Sequence, residues 1–272
     1  MDIVCYFPDY DQEHKMVLEA FAMGAKAELR PVTDYRPCDV AVIYGLYKYK
    51  VSKTLSKLPI ITLHQGPRRL IVIDSSPVMR GRYWQVGWGT SLGGNNDFLN
   101  KGSAWDRWHS WGIELRPWQL RGPDAPVIVC GQVPWDANVQ DTDHVKWIID
   151  TMRFYNECGQ KVLFRPHPKM HMGYGKGVVG VYHTGSLADA LAQARVIVTW
   201  NSTIGTDAAI AGTPVIAVDK GSFAYDVAGH EILDIQPKLL MFNREQWAAN
   251  LAYCQWNLDE LRTGMAWAHL SR

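Results

Sequence analysis

Two short segments of the sequence carry side chains suited to holding a phosphorylated ligand. The first is Arg165-Pro166-His167-Pro168-Lys169, and the second is Asn201-Ser202-Thr203. A guanidinium, an ammonium, hydroxyls and backbone N–H groups are the groups with which proteins bind a diphosphate. Because prolines flank His167 and stiffen its loop, we interpret this histidine as functional. For the second segment a plain helix cap remains an alternative, since Ser, Thr and Asn are preferred at helix starts.

The second segment lies between a predicted strand and a predicted helix. Val196–Thr199 is an apolar, β-branched run typical of a buried strand, and the small residues of Gly205–Ala211 predict a helix close against a sheet. Gly212 and the proline that follows end that helix, and Val215–Val218 is the next predicted strand. The start of such a helix favours an anion. We therefore expect a sugar-nucleotide diphosphate to bind here.

Two further loops follow predicted strands of the same half. Gly131-Gln132 comes after the run Pro126–Cys130, and Arg165 to Lys169 follows Val162–Phe164. Ligands of open α/β sheets bind beyond the carboxyl ends of the strands. The three loops should therefore converge on one site, to which Gly131-Gln132 contributes the weakest signal.

These motifs carry a resemblance to known enzymes. R-P-H-P at 165–168 and N-S-T-I-G-T-D-A-A-I-A-G-T-P-V at 201–215 together resemble the C-terminal domain of capsule-polysaccharide-type glycosyltransferases of the GT-B fold. The CDP-glycerol glycerophosphotransferases carry a similar pair. In those families the basic/His loop and the Ser/Thr turn contact donor phosphates, and an acidic residue in the following helix binds the ribose. The resemblance covers mainly residues 126–220.

By position, the resemblance implies these roles for five residues, namely Arg165, His167, Ser202, Thr203 and Asp207. Asp207 stands where the family usually has Glu, and its shorter side chain reaches less far towards a ribose. The complete set of predicted donor-binding residues is Gly131, Gln132, Arg165, His167, Lys169, His183, Asn201, Ser202, Thr203 and Asp207.

The N-terminal half also alternates strands and helices, which predicts a parallel sheet covered on both faces. Its predicted strands are Met1–Phe7, Ala27–Leu29, Asp39–Tyr44, Ile60–Leu63 and Leu70–Ile73. We therefore predict an α/β protein with two Rossmann-like domains that face each other across a GT-B-like cleft, and a C-terminal helix that packs back. Residues 1–122 would form an acceptor-binding domain with Trp-, Arg- and Gly-rich loops, and residues 123–272 a nucleotide-sugar-binding domain.

An inverting transfer needs a base that takes the proton of the acceptor hydroxyl. Asp74 ends a predicted strand, and capsule-type enzymes are similar in placing an acidic residue ahead of a Gly/Arg-rich loop, here Arg80-Gly81-Arg82. Asp97, in G-G-N-N-D, and His64, after the predicted strand Ile60–Leu63, are the alternative candidates. A turn or helix cap is the structural alternative for Asp74, and a helix or loop anchor is that for His64.

Residues 77–122 are rich in Gly, Asn, Trp and Arg and have weak periodicity, so we expect a long irregular segment with a function. Its tryptophans predict an aromatic core or, alternatively, a platform for a sugar or a nucleobase. The predicted acceptor-binding residues are Arg80, Arg82, Trp84 and Trp88.

Residues 65–122 also hold an excess of arginines that suits a DNA backbone with an extruded base, or a charged glycan. These arginines are Arg68, Arg69, Arg80, Arg82, Arg107, Arg116 and Arg121.

Composition narrows the choice of environment. In 272 residues the net charge is +1, which gives no global attraction to nucleic acid or membranes. No apolar stretch reaches the ~18 residues of a membrane span, and the five cysteines lack metal-ligand spacing. We expect a cytoplasmic protein, in the host cytoplasm if a phage encodes it. D-T-D at 141–143 is interpreted as a helix cap, so no metal site and no cofactor are expected beside a UDP-linked nucleotide sugar as co-substrate.

The leading hypothesis is a metal-independent glycosyltransferase that uses a nucleotide sugar. A hydroxymethylated pyrimidine in DNA is the slightly favoured acceptor, because phage DNA glucosyltransferases share the two-Rossmann plan and are also compact. A capsule or cell-surface glycan is the alternative acceptor. A sugar-nucleotide epimerase and a non-catalytic nucleotide-binding protein are the other functions that this sequence allows. The oligomeric state is left open.

Overall fold

A computed structural model describes residues 1–8, 11–46, 58–91, 93–133, 136–139, 142–169, 182–232 and 240–272. Two compact units make up the chain: Met1–Arg107 with Ala248–Arg272, and Trp108–Trp247. The prediction from sequence placed one boundary, after residue 122. The compact units instead divide after Arg107, and the chain returns to the first unit at Ala248.

The described part of the chain forms ten strands and nine α-helices, in a mixed α/β fold with two sheets. The strands are β1 (Ile3–Phe7), β2 (Glu28–Pro31), β3 (Val40–Tyr44), β4 (Leu70–Ser75), β5 (Tyr83–Trp88), β6 (Val127–Cys130), β7 (Val162–Arg165), β8 (Val196–Thr199), β9 (Val215–Ala217) and β10 (Gln255–Asn257). The helices are α1 (Gln12–Ala25), α2 (Leu58–Leu63), α3 (Asp106–Ser110), α4 (His144–Glu157), α5 (Leu187–Gln193), α6 (Ile204–Ala211), α7 (Glu245–Ala252), α8 (Leu258–Arg262) and α9 (Met265–Leu270).

The first unit is built on a six-stranded sheet in the order β10-β5-β4-β3-β1-β2. Strands β1 to β4 are parallel, whereas β5 runs antiparallel to β4 and β10 antiparallel to β5. Helices α1, α8 and α9 pack together, and their apolar residues share one core with β1, β3, β4 and β5. The predicted return of the C-terminal helix onto the fold is confirmed within this unit. The sequence predicts this C-terminal helix as one element over Leu258–Leu270, and the structure has two helices there, α8 and α9, with Gly264 between them.

The second unit is built on a four-stranded parallel sheet in the order β7-β6-β8-β9. Its strands are almost fully buried β-branched and aliphatic residues, as a sheet covered on both faces requires. Helix α4 packs on β6 and β7, and helix α6 packs on β8 and β9. A Cβ atom on Gly205 would lie 3.3 Å from Ala224 Cβ and 3.4 Å from Thr199 Cγ2, so the small residues of α6 allow it to approach the sheet closely. The predicted strand–turn–helix–strand order of this segment is confirmed.

Two predictions about elements were wrong. Ile60–Leu63, predicted as a strand, lies within helix α2; a short apolar run cannot be told from a buried helix by periodicity alone. Residues 77–122, predicted as irregular, contain β5 and α3. Strand β5 is buried on both faces, so it lacks the alternation that marks a half-exposed strand.

Two predicted elements cannot be compared with the structure. The sequence also predicts a helix over Lys50–Lys57, which lies outside the described residues. It predicts a strand over Val178–Tyr182 as well, of which only Tyr182 is described; this residue forms a parallel bridge with Phe164. Within the ranges that the structure describes, no helix is both long and apolar enough to cross a membrane.

Candidate functional site

The predicted donor loops of the second unit meet at the carboxyl edge of its sheet. Cys130, at the end of β6, is level with Arg165 at the end of β7 and with Thr199 at the end of β8. The N–H of Gly131 donates to the carbonyl oxygen of Arg165 at 2.9 Å. Because all four strands are parallel, the loops that follow them emerge on one side. The structure thus brings together the loops that the sequence predicted to converge.

Gln132 and Asn201 join two of these loops through buried side chains. Gln132 Nε2 donates to Asn201 Oδ1 at 2.8 Å, and the Asn201 backbone N–H donates to Gln132 Oε1 at 3.1 Å. Asn201 Nδ2 also donates to Asp219 Oδ1 at 2.8 Å and to the carbonyl of Asn138 at 3.2 Å. Sequence reasoning did not identify Asp219, although it follows β9 as the other predicted site residues follow their strands. These bonds occupy both side-chain amides, so Gln132 and Asn201 fix the loops in place.

His144 supports the loop that carries Gln132, and the sequence did not predict it as a site residue. It begins α4, directly after the N-cap Asp143, and its Nε2 accepts the N–H of Gln132 at 3.0 Å. Its ring stacks on Trp147, with centroids 5.3 Å apart and planes inclined by 16°. Burial lowers the pKa of His144 to about 4, against a smaller opposing effect of Asp136. The imidazole is therefore neutral at pH 7, with its proton on Nδ1.

Arg165 is held at the end of β7 by two acceptors. Its Nη1 donates to the carbonyl of Gly185 at 2.7 Å and to His183 Nδ1 at 2.9 Å. The amide nitrogen of Gln193 lies 2.6 Å from the other ring nitrogen of His183. Burial and the charge of Arg165 lower the pKa of His183. His183 is 7% exposed, and its neutral ring accepts a hydrogen bond from the Arg165 guanidinium. The positive charge of Arg165 is thereby held at the ends of the strands.

The rigid loop after β7 carries His167 and Lys169. His167 is half-buried, and its Nδ1 accepts the N–H of Lys169 at 3.1 Å. Burial and the nearby Lys169 charge lower the pKa of His167. The ring is therefore neutral at pH 7 with its proton on Nε2, where it can donate a hydrogen bond. The Lys169 side chain is exposed.

The turn after β8 leads into α6. The N–H of Ser202 donates to Thr199 Oγ1 at 3.2 Å, and Thr203 is the N-cap residue without a side-chain capping bond. The capping alternative is therefore wrong for the Thr203 hydroxyl, whereas Ser202 Oγ accepts the N–H of Ile204 at 3.4 Å, at the first residue of α6. Asp207 lies in the first turn of α6 and is half-buried.

The expectation of free backbone N–H groups at these strand ends is wrong for several of them. In the folded chain, acceptors of the protein are already hydrogen bonded to the N–H groups of Gly131, Gln132, Asn201 and Ser202. The groups that can meet an anion at this edge are therefore mainly side chains, with Arg165, His167 and Lys169 as donors.

In the first unit, four predicted residues lie at or next to the carboxyl edge of the parallel strands. Asp74 is the penultimate residue of β4 and accepts the N–H of Ser75 at 2.7 Å. Arg80 and Arg82 are exposed in the loop that follows, where Arg80 Nη2 donates to the carbonyl of Pro77 at 3.2 Å. Trp84 pairs with Ser75 in the sheet but is 5% exposed, so it belongs to the core and is not an open platform.

Three other predicted residues lie at the opposite, amino edge of this sheet, away from Asp74. Trp88 pairs with Ile71, four positions along β5 from Trp84, or ~13 Å at the usual strand rise. Its indole nitrogen donates to the carbonyl of Leu270 at 2.9 Å, and the ring is 4% exposed. Asp97 is bound to Trp88 by two backbone hydrogen bonds and therefore shares its edge.

His64 follows helix α2, so the strand-end argument for it was wrong. Its ring lies 3.3 Å from Cys38 Sγ and 3.0 Å from the carbonyl of Ile60, and the residue is 1% exposed. Cys38 precedes β3, which places His64 at the amino edge. The alternative interpretation of His64 as a structural anchor fits these contacts.

Some of the arginines predicted to form a basic surface are part of the fold. Arg107 is 9% exposed, pairs with Glu260 through both terminal nitrogens, and lies over the Trp256 ring at 4.3 Å. Arg121 donates to the carbonyl of Ala194 at 3.0 Å. Arg107, Trp84 and Trp88 are thus buried parts of the fold and Arg121 is bound to a backbone carbonyl, so these residues fit the aromatic-core alternative better than a surface for DNA or a charged glycan. Among the residues that the structure describes, no three His, Cys, Asp or Glu side chains form a group able to hold a metal ion.

No protein-family model and no curated protein sequence matches this chain. Its fold is similar to two solved structures of KpsC from Thermosulfurimonas dismutans. The beta Kdo 2,7 transferase aligns with a TM-score of 0.58 at 13% identity, covering 100% of both chains. The beta Kdo 2,4 transferase aligns with a TM-score of 0.59 at 12% identity, covering 93% of this chain and 91% of the other. At these identities the similarity shows a shared fold alone, here a mixed α/β fold with two sheets.

Proposed function

We propose that this protein is a glycosyltransferase of the GT-B kind, which transfers a sugar from a nucleotide sugar to a glycan hydroxyl. The observation that carries the proposal is that Arg165, His167 and Lys169 follow β7 at the carboxyl edge of a parallel sheet, the same edge at which α6 begins after β8. The fold similarity to two beta Kdo transferases over nearly the whole chain supports it. In this proposal the second unit binds the donor, and the first unit binds the acceptor.

The donor site is proposed to act without a metal ion. Arg165 and Lys169 supply positive charge for the phosphate, His167 supplies a neutral N–H, and the dipole of α6 adds to them. These groups are positioned before the reaction and can stabilise the negative charge that develops on the leaving nucleotide. Ser202 and Thr203 would contribute hydroxyls, and Asp207 is proposed to reach the ribose.

The acceptor side is proposed to be the carboxyl edge of the first sheet. Asp74, Arg80 and Arg82 lie there, and the two arginines are exposed. Both could bind an anionic group of the acceptor. A base in the neighbourhood of Asp74 would take the proton of the acceptor hydroxyl.

A glycan is favoured over DNA as the acceptor. Binding to a DNA backbone depends on several phosphate contacts, and reading an extruded base depends on exposed aromatic rings. Arg107 is paired with Glu260, and Trp84, Trp88 and Trp108 are all buried. Arg107 and these tryptophans, which suggested DNA binding in the sequence, are therefore part of the protein core.

The test is to incubate the protein with CMP-, UDP- and GDP-linked sugars, including a Kdo donor, and with lipid-linked and soluble glycan acceptors. Mass spectrometry of the acceptor should show a gain of one sugar residue with at least one donor. A parallel reaction with hydroxymethylcytosine-containing DNA, digested to nucleosides, should show no gain. A sugar on the nucleoside would instead establish DNA as the acceptor. A change of the donor sugar without transfer would indicate an epimerase, and nucleotide binding without any reaction would indicate a non-catalytic protein.

A further inference from the structure

Four titratable side chains lie at the carboxyl edge of the first sheet. Asp11 and His14 stand at the start of α1, which follows β1; Tyr44 ends β3, and Asp74 is near the end of β4. Sequence reasoning identified Asp74 alone. His14 was inconspicuous in the sequence because it lies inside an amphipathic helix.

Asp11 contacts both the backbone and the ring of His14. Its Oδ1 accepts the backbone N–H of His14 at 3.1 Å and caps the helix. Its Oδ2 lies 3.1 Å from His14 Nδ1, and the two side chains are 15% exposed for His14 and 31% for Asp11. The distance of this second contact is that of an ion pair. Before substrate binds, catalytic hydrogen bonds are often poorly aligned, and they tighten in the complex with substrate. A carboxylate at Nδ1 favours the proton on that nitrogen and leaves Nε2 as the basic atom.

Tyr44 fixes the plane of the imidazole. The two rings are stacked with centroids 3.7 Å apart and planes inclined by 17°. The Tyr44 hydroxyl is hydrogen bonded to Ser75 and Trp84, and burial and the charge of Asp74 raise the pKa of Tyr44 above its ordinary value. The phenol is therefore neutral, and Asp74 lies close to it. Among the residues that the structure describes, the charged groups that act on His14 and Tyr44 include the carboxylates of Asp11, Glu13 and Asp74. Lys15, on the same helix, pairs with Glu19.

We propose that His14, oriented by Asp11 and Tyr44, is the general base of the transfer, an inference that rests on the function proposed above. Nε2 takes the proton of the acceptor hydroxyl while the hydroxyl oxygen forms its bond to the anomeric carbon. The bond from that carbon to the phosphate oxygen of the donor breaks, and its electron pair leaves with the nucleotide. The carboxylates of Asp11 and Asp74 stabilise the imidazolium that results. An imidazole, with an ordinary pKa of about 6.5, is better matched to neutral pH than a carboxylate at about 4.

The experiment compares pH profiles of kcat/KM for the wild type and four variants, with the nucleotide sugar found active in the donor panel. His14→Gln should lose roughly 10²- to 10⁴-fold in kcat/KM, the usual effect of a general base. Asp11→Asn keeps a good helix cap but removes the charge, so the acidic limb of the profile should move about one unit lower. Asp74→Asn should move the limb in the same direction and retain more activity than His14→Gln. His230→Gln is the matched control, because His230 is an exposed histidine stacked on Tyr225 at 3.7 Å, and it should behave as the wild type.

Different results overturn different claims. If Asp74→Asn abolishes transfer while His14→Gln keeps the acidic limb, Asp74 is the base and the assignment to His14 fails, although the enzyme remains a glycosyltransferase. An Asp11→Asn profile identical to that of the wild type would also overturn the assignment, even if His14→Gln does not fold. Absence of transfer by the wild type with every donor overturns the proposed function itself and this inference with it. Nitrogen NMR of the labelled wild type should show the neutral His14 ring protonated at Nδ1, and a proton at Nε2 would contradict the proposal.

Discussion

Asn201 and Gln132 exchange two hydrogen bonds across the carboxyl ends of β8 and β6. Each residue donates once and accepts once, at 2.8 Å and 3.1 Å, and Asn201 continues the chain of bonds to Asp219 at the end of β9. This pair sets the spacing of the loops in which the proposed donor site lies. Because both side chains are buried, their bonds contribute to stability and to the shape of the site together.

Replacing Asn201 with Asp should destabilise the second unit. The change removes the amide donor and places a second carboxylate beside Asp219. We expect the free energy of unfolding to fall by about 2–3 kcal/mol, the usual effect of an unsatisfied buried polar group. Urea denaturation of the variant measures this loss. Asn243→Asp is the control, because Asn243 is exposed and its Oδ1 accepts the N–H of Glu245, a role that Asp retains. A control that is as unstable as the variant would show that the loss is unrelated to the buried pair.

His144 should make the stability depend on pH. Its pKa is about 4 in the folded chain, against 6.5 as the ordinary value. Between these values the unfolded chain binds a proton that the folded chain does not, so stability is complete above pH 6.5 and falls as the pH is lowered towards 4. From pH 7 to pH 5 this residue alone should cost about 2 kcal/mol.

The measurement is the free energy of unfolding at pH 7 and pH 5 for the wild type and for His144→Gln. Glutamine does not titrate, so the pH-dependent loss should be smaller in the variant by about 2 kcal/mol. Equal losses in both proteins would show that His144 titrates normally, and hence that the stacked ring is not held neutral by its surroundings.

Gly212, which ends α6, should tolerate no side chain. Its φ is 75°, and an added Cβ would lie 2.1 Å from the carbonyl oxygen of Pro117. Gly212→Ala should therefore lower the free energy of unfolding by about 3 kcal/mol, from backbone strain and overpacking together. Gly159→Ala is the control, since Gly159 has a φ of 69° and nothing lies within 4 Å of its would-be Cβ. It should cost about 1 kcal/mol. Equal costs at both positions would mean that the chain adjusts around Pro117.

Several elements of the fold could be predicted because local chemistry and tertiary structure agree. Gly212 ends α6 in the left-handed conformation, as its place in the sequence predicts. The spacing of Ser186 and Asp189 in the sequence also predicts a capping box, and the two residues are bonded reciprocally. The prediction failed where long-range contacts decide. The strand β10 exists because Gln255–Asn257 pairs with β5, about 170 residues earlier in the chain. The run Ile60–Leu63 forms a helix although its residues suit a strand equally well.

The residues of the candidate site also divide into those that the sequence indicates and those that only tertiary contacts reveal. The positions of Arg165 and Asn201 at the strand ends could be predicted because the strand-end rule depends on topology, which the alternation of elements indicated. His144 and His14 were missed because their importance comes from contacts with Gln132 and Tyr44, which no spacing in the sequence indicates. Asp97 and His64 were predicted from their neighbours in sequence. The sheet register places them at the edge opposite Asp74.

The central claim is that donor phosphates bind at the carboxyl edge of the second sheet through Arg165. Isothermal titration calorimetry with the nucleoside diphosphates and CMP, released by the donors in the panel, tests it directly. Wild-type protein should bind one nucleotide, and Arg165→Gln should weaken binding by ten- to a hundredfold, the loss of a charge-assisted contact. Arg153→Gln removes an exposed arginine on α4 and should leave the affinity unchanged. Equal affinities for the wild type and Arg165→Gln would contradict the claim, because they would show that the nucleotide binds elsewhere.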